Sequence, residues 1–340
     1  MKTRKKTLPW NLLSKYRTPL MGIAIIGIYL THYKQAYYIH KIPYTRFVNF
    51  LGYGTSGVDI FMILSGLGLC YSFAKDDNLL HFYRKRLVRL LPAYVITQLV
   101  FFILRVIRQG HVNMKAFLER MFFIRYFRDG DTGFWFIMAI LIFYLIFPLL
   151  YKEMEIMKKH RYLNLVICLV IYAFLQQLLW DVNPTLYGHI ISMVQRFPAF
   201  MLGVWIGREC LDDREFSVFL IPVWWVITAA LMRRYNIPFF PEFEYSIGYY
   251  VLTCGALSLI FFFVLIFEYL GGTWLIKQCM RFFAFLGGIT LECYLMHSLF
   301  KWIFTSPVWP PAYVLTCCAL PTAAAWVLHQ VCSRIAKKLS

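Results

Sequence analysis

Long apolar stretches return along the whole chain, from PLMGIAIIGIYL close to the start to LTCCALPTAAAWVL close to the end. Polar and charged positions cluster in the short intervals between them. A window reading predicts about ten helical spans, each near the ~20 residues that a bilayer core requires. Their centres fall at Ile25, Ile63, Ile96, Ile142, Ile171, Met201, Val226, Ile260, Tyr294 and Ala323. The first is short in strictly apolar residues, and Pro198 interrupts the sixth. The expected fold is all-α, a polytopic transmembrane helical bundle. No interval is long enough for a separate soluble domain, so residues 1–340 are expected to form one membrane domain with its core at 18–333. No internal repeat or low-complexity segment stands out.

Composition agrees: 60% of residues are hydrophobic and 15% charged, against the roughly 25% charged of a soluble domain. The start, MKTRKKTLPWNLLSKYRTPLMGIAIIGIYLTH, pairs a basic segment with an apolar run but lacks a small-x-small cleavage site, so a retained first span is expected. Seven of the nine cysteines fall in apolar runs and there is no CxxC pair; packing is their expected role, and no metal site is expected. The 35 basic residues against 17 acidic ones speak for membrane topology rather than nucleic acid. With both termini cytoplasmic, 22 Lys and Arg fall inside and 13 outside, as the positive-inside rule asks. Six of the outer ones, Arg105, Arg108, Lys115, Arg120, Arg125 and Arg128, share the loop after the third span. Either that loop is tolerated because later loops constrain orientation less, or its amphipathic FLERMFFIRYF stretch lies along the interface or lines a groove for an acceptor.

Ionisable residues within spans are costly, on the order of 3 kcal/mol at the centre, and each is a candidate for chemistry. The chain offers His32 at the end of the first span, Asp59 in GTSGVDIFMILSG, Glu268 near the end of the eighth, and Glu292 with His297 in GGITLECYLMH. Running outward and back, the first two spans are expected to bring His32 and Asp59 together as a carboxylate-supported general base. At the opposite face, HFYRKRLVRLLPAYV sets Arg84, Lys85, Arg86 and Arg89 at the mouth of the third span. Such a cluster suits a polyphosphate, and equally an anionic lipid surface.

Six segments then combine in one order: GIAIIGIYLTH, GTSGVDIFMILSG, FYRKRLVRLLPAY, WFIMAILIFYLIFP, RFPAFMLGVWIG and LGGITLECYLMH. Through them the chain resembles the acyltransferase-3 family of bacterial inner-membrane O-acyltransferases, from about Leu20 to about Phe300. The resemblance implies that His32 is catalytic, that Asp59 is the aspartate of the GVD motif, and that Arg84 to Arg89 with Pro92 face an acyl-coenzyme A donor. Trp135, Tyr144, Arg196, Tyr294 and His297, which lie in the same motifs, are the candidate substrate-binding residues. Tyr294 and His297 share a helix face, whereas Glu292 is turned about 140° from His297. The first two are therefore expected to line a cavity and Glu292 to pair with a neighbouring helix. One family position departs: the arginine commonly found eleven residues before the histidine is Met21 here, with Arg17 one turn away. No appended esterase-like domain is apparent, so direct acylation of a carbohydrate or glycolipid hydroxyl is expected, with acyl-coenzyme A as a substrate and no permanently bound cofactor. A transporter or flippase of lipid-linked carbohydrate is the alternative reading.

Overall fold

The computed structural model describes residues 7–43, 45–111, 113–234, 245–305 and 307–339. Nearly all of them are helical. We number the longer helices α1 Arg17–Ile39, α2 Ser56–Lys75, α3 Leu79–Gln109, α4 Trp135–Ile156, α5 Arg161–Val182, α6 Pro184–Val194, α7 Phe197–Leu211, α8 Leu220–Arg234, α9 Tyr245–Leu270, α10 Trp274–Gly288, α11 Thr290–Phe304 and α12 Leu320–Leu339. The strands β1 Thr7–Pro9 and β2 Glu215–Ser217 pair antiparallel, with Leu8 opposite Phe216.

Among the described residues, seven helical runs are long and apolar enough to cross a membrane: Arg46–Lys75, Leu79–Gln109, Trp135–Ile156, Lys158–Val182, Pro184–Leu211, Tyr250–Leu270 and Pro310–Leu339. The stretch Trp274–Phe304 is an eighth if its two helices, α10 and α11, count as one span. The protein is thus a multi-pass membrane protein. Two expected spans do not meet the same measure. The run around Ile25 forms the 23-residue α1, and the run around Val226 forms α8, of which 15 residues lie before the described stretch ends at Arg234. On α5, Leu163, Val170 and Phe174 are each more than half exposed. An apolar helix that hides so little of itself in protein is solvated by lipid tails.

By contact the helices group into two compact units, and the chain passes between them five times. The first comprises Met1–Asp77, Phe147–Ala173 and Gln195–Gly288. A close glycine seam joins α2 to α7. A Cβ on Gly66 would stand 2.5 Å from the Phe200 carbonyl oxygen, and one on Gly203 would stand 2.1 Å from that of Ile63. Only hydrogen at both positions lets the two backbones come this close, and dispersion contacts along so short an approach stand in for the hydrophobic drive that lipid does not supply. The same exchange joins α1 to α10, where Gly22 lies against Phe283 and Gly287 against Thr18. Near the ends of α5 and α7, the buried Arg161 forks to Glu209 at 2.6 Å and Asp212 at 2.8 Å and donates to the Met154 carbonyl at 3.1 Å. Burial pushes the Asp212 carboxyl up, but the hydrogen bonds and charges of Arg161 and Lys158 outweigh it and hold the group below the usual range.

The second unit comprises Asn78–Ile146, Phe174–Val194 and Ile289–Ser340. Here α3 packs on α11 and α12, and α11 on α12. Asn78 caps α3 by accepting from the His81 amide at 3.0 Å. The helix runs unbroken through Pro92, whose missing N–H leaves the Val88 carbonyl without its usual helical donor. Ahead of α12, residues Val314–Ala319 widen into a π turn.

Replacing Gly203 by alanine is expected to lower the thermal stability of the detergent-solubilised protein by about 1–3 kcal/mol, because an intruding methyl must push two backbones apart. Gly188, inside α6 with nothing within 4 Å of the place a Cβ would take, serves as control: its alanine variant is expected to melt at or slightly above the wild type. Equal melting of both variants would show that the α2–α7 seam is loose.

Candidate active site

Asp59 lies in the first turns of α2, fully buried. Its carboxylate accepts from Arg196 Nη1 at 2.5 Å and from Thr253 Oγ1 at 3.4 Å. Arg196 is the residue that caps the start of α7 and is 5% exposed. The pair therefore sits beside the glycine seam, where α2 and α7 are held closest. Two buried opposite charges at this distance favour each other's ionised form, whereas either alone would carry the full cost of desolvation.

This geometry corrects the expected pairing of His32 with Asp59. On α1, Ala24 meets Gly57 of α2, since a Cβ on Gly57 would stand 2.4 Å from the Ala24 carbonyl. His32 lies eight residues beyond Ala24, and Asp59 lies two residues past Gly57 in the opposite direction. At 1.5 Å per residue the two are about 15 Å apart along the hairpin axis. The physical reason is twofold: α1 continues to Ile39, so His32 stops well short of the hairpin tip, and the nearest countercharge for a carboxylate this deep arrives on α7. His32 itself is half-buried, with Nδ1 2.6 Å from Gln35 Oε1. An amide oxygen only accepts, so Nδ1 carries the proton and the lone pair of the neutral ring is on Nε2. That is the tautomer a base acting through Nε2 requires.

Arg17, the candidate substitute for the arginine absent at Met21, crosses to α2. Its Nε donates to the Leu64 carbonyl at 2.8 Å, and its guanidinium occupies the space that a Cβ on Gly68 would fill. Glu268 accepts from Lys15 at 2.7 Å and Tyr16 at 2.8 Å.

In the second unit, Arg84, Lys85, Arg86 and Arg89 line a cavity of about 440 Å³ together with His81, Val88, Glu292 and His329. Arg86 is held over the Phe82 ring at 5.4 Å, and Arg84 Nη2 donates to the Leu339 carbonyl at 2.5 Å. Across from them, Glu292 Oε1 accepts from His329 Nδ1 of α12 at 2.9 Å; the glutamate pairs with a neighbouring helix. His329 went unnoticed in the sequence because it lies in the last apolar run, outside every motif. Its one signal is position, since an imidazole four residues before Ser333 falls on the same face of an amphipathic helix.

The remaining candidates lie elsewhere. His297, 1% exposed, donates through Nδ1 to the Cys317 carbonyl at 2.5 Å, an oxygen within the π turn. Such a turn shifts the i→i+4 ladder and presents carbonyls to neighbours. Tyr294 packs on Phe136 with centroids 5.1 Å apart, and Phe136 in turn meets Trp135 edge-on at 6.1 Å. Tyr144, half-buried on α4, is the exception: it lies beside Arg86, close enough for the two groups to interact. The structure brings Asp59 to Arg196 and gathers the four basic residues of α3. Tyr144 lies near that cluster at Arg86, whereas Trp135, Tyr294 and His297 are not among the residues lining the basic cavity.

A multi-span helical bundle with a buried, charge-paired aspartate and a basic cavity built on one helix is an integral-membrane protein. The profile of the acyltransferase-3 family, an acyltransferase domain, matches residues 20–330, and the chain belongs to that family and is an acyltransferase. No curated protein and no solved structure shows significant similarity to it.

Removing one member of the buried pair, by Asp59→Leu or Arg196→Met, is expected to destabilise the protein by about 3–5 kcal/mol and to reduce the folded yield, whereas the double variant is expected to recover most of that stability. Size-exclusion profiles and thermal melts of the three proteins measure this. Additive destabilisation in the double variant would mean that the two charges do not depend on each other.

Proposed function

We propose that the protein is an O-acyltransferase of a bacterial cytoplasmic membrane that moves a short acyl group from acyl-coenzyme A to a hydroxyl of a cell-envelope carbohydrate or glycoconjugate. The observation that supports the donor is the basic cavity on α3. Coenzyme A carries a pyrophosphate and a ribose phosphate, and three arginines and a lysine on one helical turn and a half offer it forked, charge-assisted hydrogen bonds. The nearby carboxylate of Glu292 is hydrogen-bonded to His329 of α12 rather than to the four basic residues.

His32 is the proposed base. Its Nε2 removes the proton from the acceptor hydroxyl as that oxygen attacks the thioester carbonyl. The tetrahedral adduct collapses by breaking the carbon–sulfur bond, and the departing thiolate takes its proton from the imidazolium. The oxygen–carbon bond formed and the carbon–sulfur bond broken balance the transfer, and no covalent enzyme intermediate is required. Asp59, held by Arg196, serves in this scheme to fix the helices around the base rather than to orient its ring.

The Arg86→Gln/Arg89→Gln protein is expected to bind acetyl-coenzyme A at least a hundredfold more weakly, given about 1.5–3 kcal/mol for each charge-assisted hydrogen bond removed, while turnover of a short acetyl thioester without the nucleotide changes little. Titration calorimetry and a thiol-release assay give the two numbers. Equal impairment with both donors would overturn the assignment of this cavity. His32→Ala is expected to fold and to bind acetyl-coenzyme A as the wild type does, yet to lose roughly 2 to 4 orders of magnitude in transfer rate; retention of half the rate would remove His32 from the chemistry.

A further inference from the structure

At the far end of α3 a second cavity opens. Arg105 is sixteen residues beyond Arg89, or about 24 Å along the helix axis, close to the thickness of a bilayer core. The cavity has a volume of about 480 Å³, within the ~300–1,000 Å³ usual for small-molecule sites, and continues into a lobe of about 170 Å³ that reaches Asp131 and Ser298. Its walls combine three arginines (Arg105, Arg120, Arg125) with the carboxamides of Gln98 and Asn113 and the ring of Trp302.

The arginines are not equivalent. Arg120 is bound by Asp131 at 2.8 Å and Arg125 by Asp129 at 3.1 Å. Arg105 has no carboxylate within ion-pair distance among the described residues; its guanidinium lies over Phe101 at 5.8 Å and over Trp302 at 5.9 Å. Aromatic faces hold a guanidinium in place without neutralising it, so the fork is set in advance, and the nearest carboxylate, Asp131, lies in the adjoining lobe beyond ion-pair distance. The helices Met114–Met121 and Ile124–Asp129, which supply Arg120 and Arg125, are the basic amphipathic stretch that runs against the charge asymmetry of the other loops. A basic loop persisting on that side is accounted for if its charges surround an anion.

We propose that this cavity is the acceptor site and that the acceptor is an anionic carbohydrate, a sugar bearing a carboxylate or a phosphate. Arg105 takes the anionic group bidentately, the carboxamides of Gln98 and Asn113 bond hydroxyls, and the aromatic walls cover the apolar face of the ring. The inference rests on the acyltransferase reading above, deepens it by naming the acceptor class, and sets donor and acceptor sites at opposite ends of one helix.

The test titrates the full-length protein, purified in detergent, with glucose, glucuronate, glucose 1-phosphate and inorganic phosphate, following tryptophan fluorescence. Glucuronate or glucose 1-phosphate is expected to bind at least tenfold more tightly than glucose and than inorganic phosphate, and which of the two is preferred tells a uronate acceptor from a phosphorylated one. The preference is expected to vanish in Arg105→Gln and to survive in part in Arg105→Lys; the fluorescence change is expected to disappear in Trp302→Phe. Equal binding of glucose and the anionic sugars by the wild type overturns the proposal, as does inorganic phosphate binding as tightly as glucose 1-phosphate, which marks a simple anion site. Stabilisation by acetyl-coenzyme A is measured on the same preparations. Its absence in the wild type counts against the donor reading, whereas its presence beside an unselective sugar response counts against this inference alone.

Discussion

A carboxylate within the hydrocarbon layer must be matched by a cation or it will not stay charged, and in this protein Asp59 is matched by Arg196. The constraint reaches outward from that pair. Arg196 sits at the start of α7, so the pair fixes where that helix begins relative to α2. Below it, Gly66 and Gly203 bring the two backbones into contact over several turns. Without the short approach the guanidinium would not reach the carboxylate; without the ion pair the polar ends would have no reason to enter so apolar an environment. The two interactions support each other, as a minimally frustrated sequence requires.

In the second unit the same economy of charge is arranged along one helix. At one end of α3 the basic residues line a cavity whose carboxylate, Glu292, is bound to His329. At the other end, three of the loop arginines are matched by Glu119, Asp129 and Asp131. Burial pushes the Asp131 carboxyl up, yet the hydrogen bond and charge of Arg120 hold it below its usual range. The loop is therefore far less positive than its count of arginines indicates, and Arg105 stands out as a guanidinium supported by rings. A helix long enough to cross the membrane thus carries a basic cavity at each end.

The run of apolar residues determined the helices themselves. Where ~20 consecutive residues have side chains as apolar as lipid, a backbone deprived of water closes its hydrogen bonds internally, and helix is the single-chain solution. Hydropathy for that reason located α2, α3, α4, α5, α9 and the α12 run, and the ordered motifs carried the family. The basic cluster was legible as well, because Arg84, Lys85, Arg86 and Arg89 are neighbours on one helix and their grouping needs no knowledge of any other segment.

Only the tertiary structure decided what lies beside what. Asp59 and Arg196 are 137 residues apart, and no local periodicity links them; their pairing follows from the glycine contacts that bring α7 rather than the tip of α1 to the aspartate. His329 joined the basic cavity, and Trp302 joined Arg105, for the same kind of reason: α11 and α12 pack on α3. Local composition specifies which segments leave water, since that is a property of each side chain. The partner of a buried charge depends on the register in which separate helices meet, and that register is set by contacts between residues distant in the chain.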